Sequence, residues 1–137
     1  MTVRIVRLGS PRVAGEGLRI GTVRRPPRGV RKSEHAAGNW YDVWYPKLAP
    51  STAVVAMALA DASPTGFAAF RRAYLREMRE PSAARTLDLL AALSHSADFS
   101  VGCYCEDESR CHRSLLRELL VQRGARVADA AGEKPAR

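Results

Sequence analysis

Three cysteines and a histidine lie within ten residues of one another near the end of the chain. Cys103 and Cys105 come first, an acidic turn follows, and Cys111 and His112 stand directly before Arg113. A thiolate acts as a nucleophile or a metal ligand, and an imidazole acts as a general base or a metal ligand. This is the segment whose residue types and spacing predict chemistry.

The stretch after the acidic turn is expected to begin a helix over Arg110 to Gln122, because its leucines recur on one helical face. The first turn of a helix has unpaired N–H groups and a partial positive charge, which stabilise a thiolate or a bound anion. We therefore expect a lowered pKa for Cys111, with Arg113 adding positive charge. Cys105 and Cys111 are the candidate nucleophiles.

Two further residues of this segment are candidate catalytic groups. Glu106, at the end of the preceding strand, is a candidate general base or orienting acceptor, and His112 is the other candidate. A phosphatase-like loop is not supported, because no arginine follows Cys105 at the required offset. In the structural alternative, Cys103 is a small buried hydrophobe, while Cys111 and His112 only pack at the helix start.

A metal site is another use of the same four side chains. Two of the ligands would be adjacent in sequence, and one cysteine lies on a strand face that is expected to be buried. The two-residue cysteine spacing common in zinc sites is missing. We therefore predict no metal here, and the sequence indicates no particular cofactor.

The elements that must position this segment alternate between strands and helices. The pattern predicts an α/β fold, with a small parallel or mixed sheet flanked by helices in a Rossmann-like layered domain. A single domain is expected over residues 1–128, and residues 129–137 are expected to be a disordered tail. Strands are predicted over 3–8, 18–23 and 99–105, and helices after Ser51 and Ser63 and over 84–95 and 110–122.

An arginine-rich loop follows the second strand, with two prolines between Arg24 and Arg28. Ligands of open α/β sheets bind off the carboxyl ends of the strands, so this loop and the acidic turn are expected to face one crevice. We predict a small anionic, phosphate-like ligand that is bound by Arg24, Arg28 and Arg113. Trp44 and Tyr74 are further candidate pocket residues.

Positive charge is concentrated in the first part of the chain. The net charge is +8, and residues 1–35 hold eight arginines and one lysine against two glutamates. This asymmetry makes a nucleic-acid-binding module the alternative function, with weak and salt-dependent binding expected. An odd number of clustered cysteines favours a reducing cytoplasm, and no apolar stretch is long enough for a membrane span. The oligomeric state is not indicated.

Three stretches resemble a known family, Domain of Unknown Function 488, in its YeaO-like branch. The resemblance covers about residues 3–125, and the segment from Cys105 to Arg113 is similar to the ending of other members. It implies the fold, and it implies no established chemistry. The three stretches are Arg24 with Pro27, Arg28 and Gly29; Asp42, Val43 and Trp44 with Leu48, Ala49, Pro50 and Ser51; and Phe70 with Tyr74 and Glu77.

The chain also departs from the pattern of that family. Val23 stands where members have an aspartate before the first arginine of the loop. Arg25 and Pro26 replace a leucine and a tryptophan, Pro46 replaces a lysine, and there is a short insertion after Gly29. An activity that depends on the missing carboxylate would be affected here.

Overall fold

The computed structural model describes residues 1–128 and contains one sheet of four parallel strands in the order β1-β4-β2-β3. The strands are β1 (Val3–Arg7), β2 (Leu18–Gly21), β3 (Val43–Trp44) and β4 (Phe99–Cys103). Valine, isoleucine and phenylalanine dominate their inward positions, as β-branched and aromatic residues do on a pleated surface. The predicted α/β class and the parallel sheet are confirmed.

Four helices accompany the sheet: α1 (Thr52–Ala60), α2 (Pro64–Glu77), α3 (Pro81–Leu93) and α4 (His112–Gln122). All four contribute side chains to one hydrophobic core. The predicted helices are therefore confirmed, although α3 begins earlier than expected and α4 begins later.

Side-chain caps explain where the first three helices begin. Ser51 accepts a hydrogen bond from the N–H of Val54, and Ser63 accepts one from the N–H of Gly66. The α3 helix starts at Pro81, where proline fits because the first helical N–H needs no partner within the helix. The side chain of Glu80 also accepts hydrogen bonds from the N–H groups of Ser82 and Ala83, and so caps this helix.

The helical layer covers one face of the sheet. Val3 and Ile5 of β1, together with Phe99 and Val101 of β4, point into the core that the helices share. The pattern predicted these odd-numbered residues of β4 to be the apolar face. Every residue of β4 is nonetheless buried, because this strand lies between β1 and β2 and its other face is covered as well.

A buried ion pair lies on that other face. Arg19 of β2 is 0 % exposed, and its guanidinium donates to the two carboxylate oxygens of Glu16 at 2.7 and 2.9 Å. Ser100 of β4 donates to the same carboxylate at 2.7 Å. A further nitrogen of Arg19 donates to the backbone oxygens of Ser10 and Asn39 at 2.9 and 2.7 Å. One side chain thus joins two strands to two loops.

The loops that contain Ser10 and Asn39 both lead to the carboxyl edge of the sheet, and the second one brings Trp40 there. Gly9 has a φ of 91°, a conformation that favours glycine, and a Cβ at this position would lie 3.0 Å from the ring of Trp40. The backbone of the first loop can therefore approach this indole closely. Asn39, the residue before Trp40, also has a positive φ, of 61°.

The described chain ends beside the first strand, where Val127 forms an isolated parallel bridge with Val3. The predicted tail over residues 129–137 lies outside the described residues. Among the helices that the structure describes, none has the length and apolar character that crossing a membrane requires.

We predict that Glu16→Gln lowers the free energy of unfolding by about 3–5 kcal/mol, because it leaves the buried charge of Arg19 without its partner. Urea denaturation measures this change. The control is Glu118→Gln, which breaks a half-exposed pair with Arg71 and should cost below about 1 kcal/mol. Equal losses in the two variants would contradict a dominant role for the buried pair.

The same pair predicts how stability depends on pH. Burial opposes ionisation of Glu16, but hydrogen bonds from Arg19 and Ser100 and the charge of Arg19 outweigh it, so the pKa of Glu16 is lowered. The stability that ionised Glu16 contributes is therefore present above the pKa that this carboxyl has in the unfolded chain. It disappears as the pH falls through the lowered pKa of the folded state. Acid should consequently destabilise the wild type more than Glu16→Gln.

Candidate functional site

A cavity of about 950 Å³ opens at the carboxyl edge of the sheet. The ends of β1, β2 and β4 meet there, as parallel strands require, and the arginine-rich loop after β2 covers one side. This loop and the end of β4 therefore face one crevice, whereas the acidic turn, which was expected to face it too, is not among the described residues that line it. The residues lining it are Arg7, Leu8, Gly9, Ser10, Pro11, Val23, Arg24, Arg25, Pro26, Pro27, Arg28, Trp40, Pro50, Thr52, Val55, Cys103, Tyr104, Cys105 and His112.

The charge of this cavity is one-sided. Four arginines line it, and no aspartate or glutamate is among the described residues that do. Glu106 stands at the rim, where its carboxylate lies 3.5 Å from the guanidinium of Arg7. A cleft whose walls carry one sign of charge concentrates ions of the opposite sign.

Two of these arginines are fixed by backbone carbonyls. Arg24 donates to the oxygens of Pro50 and Ala49 at 3.1 and 3.2 Å, and Arg7 donates to the oxygen of Tyr104 at 3.3 Å. These carbonyls hold two guanidinium groups in place; Arg7 is also paired with Glu106, whereas Arg24 forms no ion pair within residues 1–128.

The other two arginines lie on the exposed part of the loop. Arg25 and Arg28 are exposed, and neither guanidinium forms an ion pair or hydrogen bond within residues 1–128. The hydroxyl of Tyr104 donates to the backbone oxygen of Arg25 at 2.8 Å, which ties this part of the loop to the chain after β4.

The three cysteines come together at the inner end of the cavity. The sulfurs of Cys103 and Cys111 are 2.7 Å apart, and both residues are buried. Cys105 is exposed, and all three residues carry free thiols. Cys111 reaches Cys103 because it caps α4 with an extended backbone, φ −130° and ψ 158°, instead of lying within the first helical turn.

The three thiols influence one another's pKa values. The neighbouring thiols of Cys103 and Cys111 favour the thiolate of Cys105, and so does the positive charge of Arg113, so the pKa of Cys105 is lowered. The pKa of Cys103 is raised by the neighbouring Cys105 and Cys111 and by burial. For Cys111, the thiol of Cys103 and the N–H of Arg113 lower the pKa, but the neighbouring Cys105 and burial raise it to about 11. The predicted lowering for Cys111 is therefore wrong, because burial and Cys105 outweigh the effect of the helix N-terminus.

His112 is held in one orientation within the core. Its Nε2 lies 2.8 Å from the backbone oxygen of Thr22, and its Nδ1 lies 3.6 Å from the sulfur of Cys111. The carbonyl can only accept, so Nε2 carries the hydrogen and the neutral ring leaves a lone pair on Nδ1. Burial lowers the pKa of His112 to about 4, despite the hydrogen bond with Thr22.

The sequence assigned ligand contacts to three residues that are not among those lining the cavity. Arg113 is buried and donates to the backbone oxygens of Cys105 and Glu106, so it fixes the chain after β4. Trp44 donates its indole N–H to the oxygen of Val23 at 2.8 Å. Tyr74 is 0 % exposed and packs beside the ring of His112. These three residues support the cavity from behind.

The wall residues that sequence reasoning missed include Arg7, Arg25 and Tyr104. Arg25 stands inside the same arginine cluster as Arg24 and Arg28, and this cluster could have indicated it. Arg7 ends a strand at the carboxyl edge, so the strand prediction already placed it there. The sequence indicates Trp40 only as a residue that could stack on bases in the nucleic-acid alternative, because the loop that brings it to the site has no regular period.

Val23, which replaces an aspartate of the resembled family, lines this cavity and is buried. A carboxylate here would lie among the arginines. By the resemblance, this chain would lack a negative charge that other members have at this position, and a cavity without it would be more favourable for an anion.

The fold and cavity define a small parallel α/β protein with a cationic, thiol-lined crevice at the carboxyl edge of its sheet. The chain matches the family described as "Active DUF488-N3 subclade" over residues 3–124, and it belongs to this family within Domain of Unknown Function 488. The resemblance found in the sequence is thereby confirmed for the family, and the YeaO-like branch is compatible with the match. No curated protein matches the chain. No solved structure matches it.

We predict that iodoacetamide modifies Cys105 well before Cys103 or Cys111 in the folded protein. Cys105 is exposed, whereas the other two thiols are 2 % and 3 % exposed and react only when the core opens. Site-resolved mass spectrometry after short exposures at neutral pH measures the order. In urea the three rates should converge, and faster reaction of Cys111 in the native state would contradict the placement of these thiols.

Proposed function

We propose that the protein binds a small anionic ligand with a phosphate-like group in the cavity at the carboxyl edge of its sheet. The observation that carries this proposal is the set of four arginines that line the cavity, with no carboxylate among the described lining residues. Guanidinium groups bind phosphate oxygens through paired, charge-assisted hydrogen bonds.

The arrangement of the arginines supports this proposal. Arg24 is held by two backbone carbonyls, so little freedom is lost when it binds a ligand. Arg25 and Arg28 are exposed on the adjacent loop, and their N–H groups are available to an entering anion. A fixed guanidinium and two exposed ones can surround one phosphate group.

The size of the cavity indicates that the ligand has an organic part as well. A volume of about 950 Å³ is far larger than an inorganic phosphate needs. Much of the wall is apolar and includes Trp40, Pro50 and Val55. We infer that the ligand places its anionic group on the arginines and its less polar part against these side chains.

Cys105 is the residue that we expect to react with such a ligand. It is the exposed thiol of the three and lies in the cavity wall beside the arginine loop. In a nucleophilic step its sulfur would form a bond to an electrophilic atom of the ligand. The bond to the leaving group would break, and that group would take the electron pair with it. His112 is held by Thr22 on one ring nitrogen, so Glu106 at the rim is the more accessible candidate base.

We predict that Arg28→Ala weakens binding of inorganic pyrophosphate about 10-fold or more, since a lost charge-assisted hydrogen bond costs about 1.5–3 kcal/mol. Isothermal titration calorimetry at fixed ionic strength measures the affinity. Arg85→Ala is the matched control: it removes the same charge from an exposed arginine of α3 outside the cavity and should leave the affinity unchanged.

The same pair of variants separates this function from nucleic-acid binding. If Arg85→Ala weakens binding as much as Arg28→Ala does, the general positive charge is responsible and the cavity proposal fails. If a short oligonucleotide binds tightly at physiological salt while pyrophosphate does not bind, the nucleic-acid module becomes the better proposal.

A further inference from the structure

Four groups of metal-ligating type surround the inner end of the cavity, and three of them meet. The sulfurs of Cys103 and Cys111 and a ring nitrogen of His112 lie within 4.8 Å of one another, and all three residues are buried. We propose that these three side chains bind a zinc-like divalent cation, with its fourth coordination position open to the cavity.

The donor set fits this class of ion. Zinc prefers thiolate sulfur and imidazole nitrogen in tetrahedral sites, at about 2.3 Å and about 2.0–2.1 Å. Two donor atoms that bind the same ion are separated by no more than the sum of their distances to it. The mutual separations of the three donor atoms, all within 4.8 Å, are compatible with such a site. The ion would replace the thiol protons, which pass to solvent. The sulfurs, now 2.7 Å apart, would have to separate to accept it.

The histidine is oriented as a metal ligand would be. Its Nε2–H is directed at the carbonyl of Thr22, so the lone pair of Nδ1 is on the side of Cys111. A backbone carbonyl that fixes the far nitrogen is the usual outer partner of a metal-bound histidine. Thr22 is itself fixed, because its hydroxyl and its N–H both contact the oxygen of Gly102.

The sequence spacing argued against a metal because Cys111 and His112 are adjacent. Adjacent residues inside a helix point in different directions. In the structure Cys111 lies before the helix with an extended backbone, and only His112 is helical. The change of conformation between them allows both side chains to face Cys103.

The open position distinguishes this site from a closed structural one. Cys103 and His112 line the cavity, so an ion between them would be reachable from it. Sites with three protein ligands and one free position bind water or a substrate oxygen there. An oxygen of an anionic ligand held by the arginines could occupy this open position at the inner end of the same cavity.

The test uses the full-length protein, purified with reductant, stripped with chelator and loaded with Zn²⁺ or Co²⁺. Elemental analysis should give one equivalent of Zn²⁺ after desalting. The Co²⁺ form should show thiolate-to-metal charge transfer and the ligand-field bands of a tetrahedral site. Less than a tenth of an equivalent, or octahedral Co²⁺ bands without charge transfer, would overturn the proposal.

Four variants locate the ligands. Cys111→Ser and His112→Gln should lose the ion, while His95→Gln, just beyond α3, should retain it. Cys105→Ser should also retain one equivalent, since this exposed thiol is not one of the three ligands; loss of the ion here would overturn the three-ligand site. Circular dichroism identifies a variant that fails to fold. In that case the Co²⁺ spectrum of the wild type still decides whether the tetrahedral thiolate site exists.

Discussion

The burial of one guanidinium organises much of this molecule. Arg19 cannot lose its charge and is fully removed from solvent, so its N–H groups must find acceptors within the fold. Glu16 supplies a matching pair of carboxylate oxygens, and the oxygens of Ser10 and Asn39 accept from a further nitrogen. Each acceptor comes from a different turn of the chain. Satisfying this one charge therefore fixes the two loops that cover the face of the sheet without helices.

This constraint reaches the site because those loops continue to the carboxyl edge. Ser10 lines the cavity directly, and Asn39 precedes Trp40, which lines it as well. On the helical side, Arg113 has a similar role: its buried guanidinium donates to the carbonyls of Cys105 and Glu106. The arginines that position or line the site thus fall into two groups. Buried ones satisfy backbone and carboxylate oxygens and set the shape, while partly exposed ones give the cavity its charge.

The sequence predicted the elements well where their periodicity is strong. Alternation in β4, the serine caps of α1 and α2 and the leucine face of α4 were sufficient to place these elements and the crevice between them. It could not predict which arginines face solvent, because Arg19, Arg24 and Arg113 look alike in composition and differ only in long-range contacts. The same limit applies to Tyr74, which lies behind His112 and not in the cavity wall.

The start of α4 shows how a small shift of a boundary changes chemistry. A helix that began at Arg110 would hold Cys111 in its first turn, beside free N–H groups that favour a thiolate. The helix begins at His112 instead, and the extended backbone of Cys111 turns its thiol toward Cys103 in the core. Burial and the neighbouring Cys105 then raise the pKa of this thiol, although the N–H of Arg113 at the helix start still favours its thiolate. Accessible sulfur chemistry moves to Cys105 at the cavity wall, while the buried thiols and His112 form a separate cluster behind it.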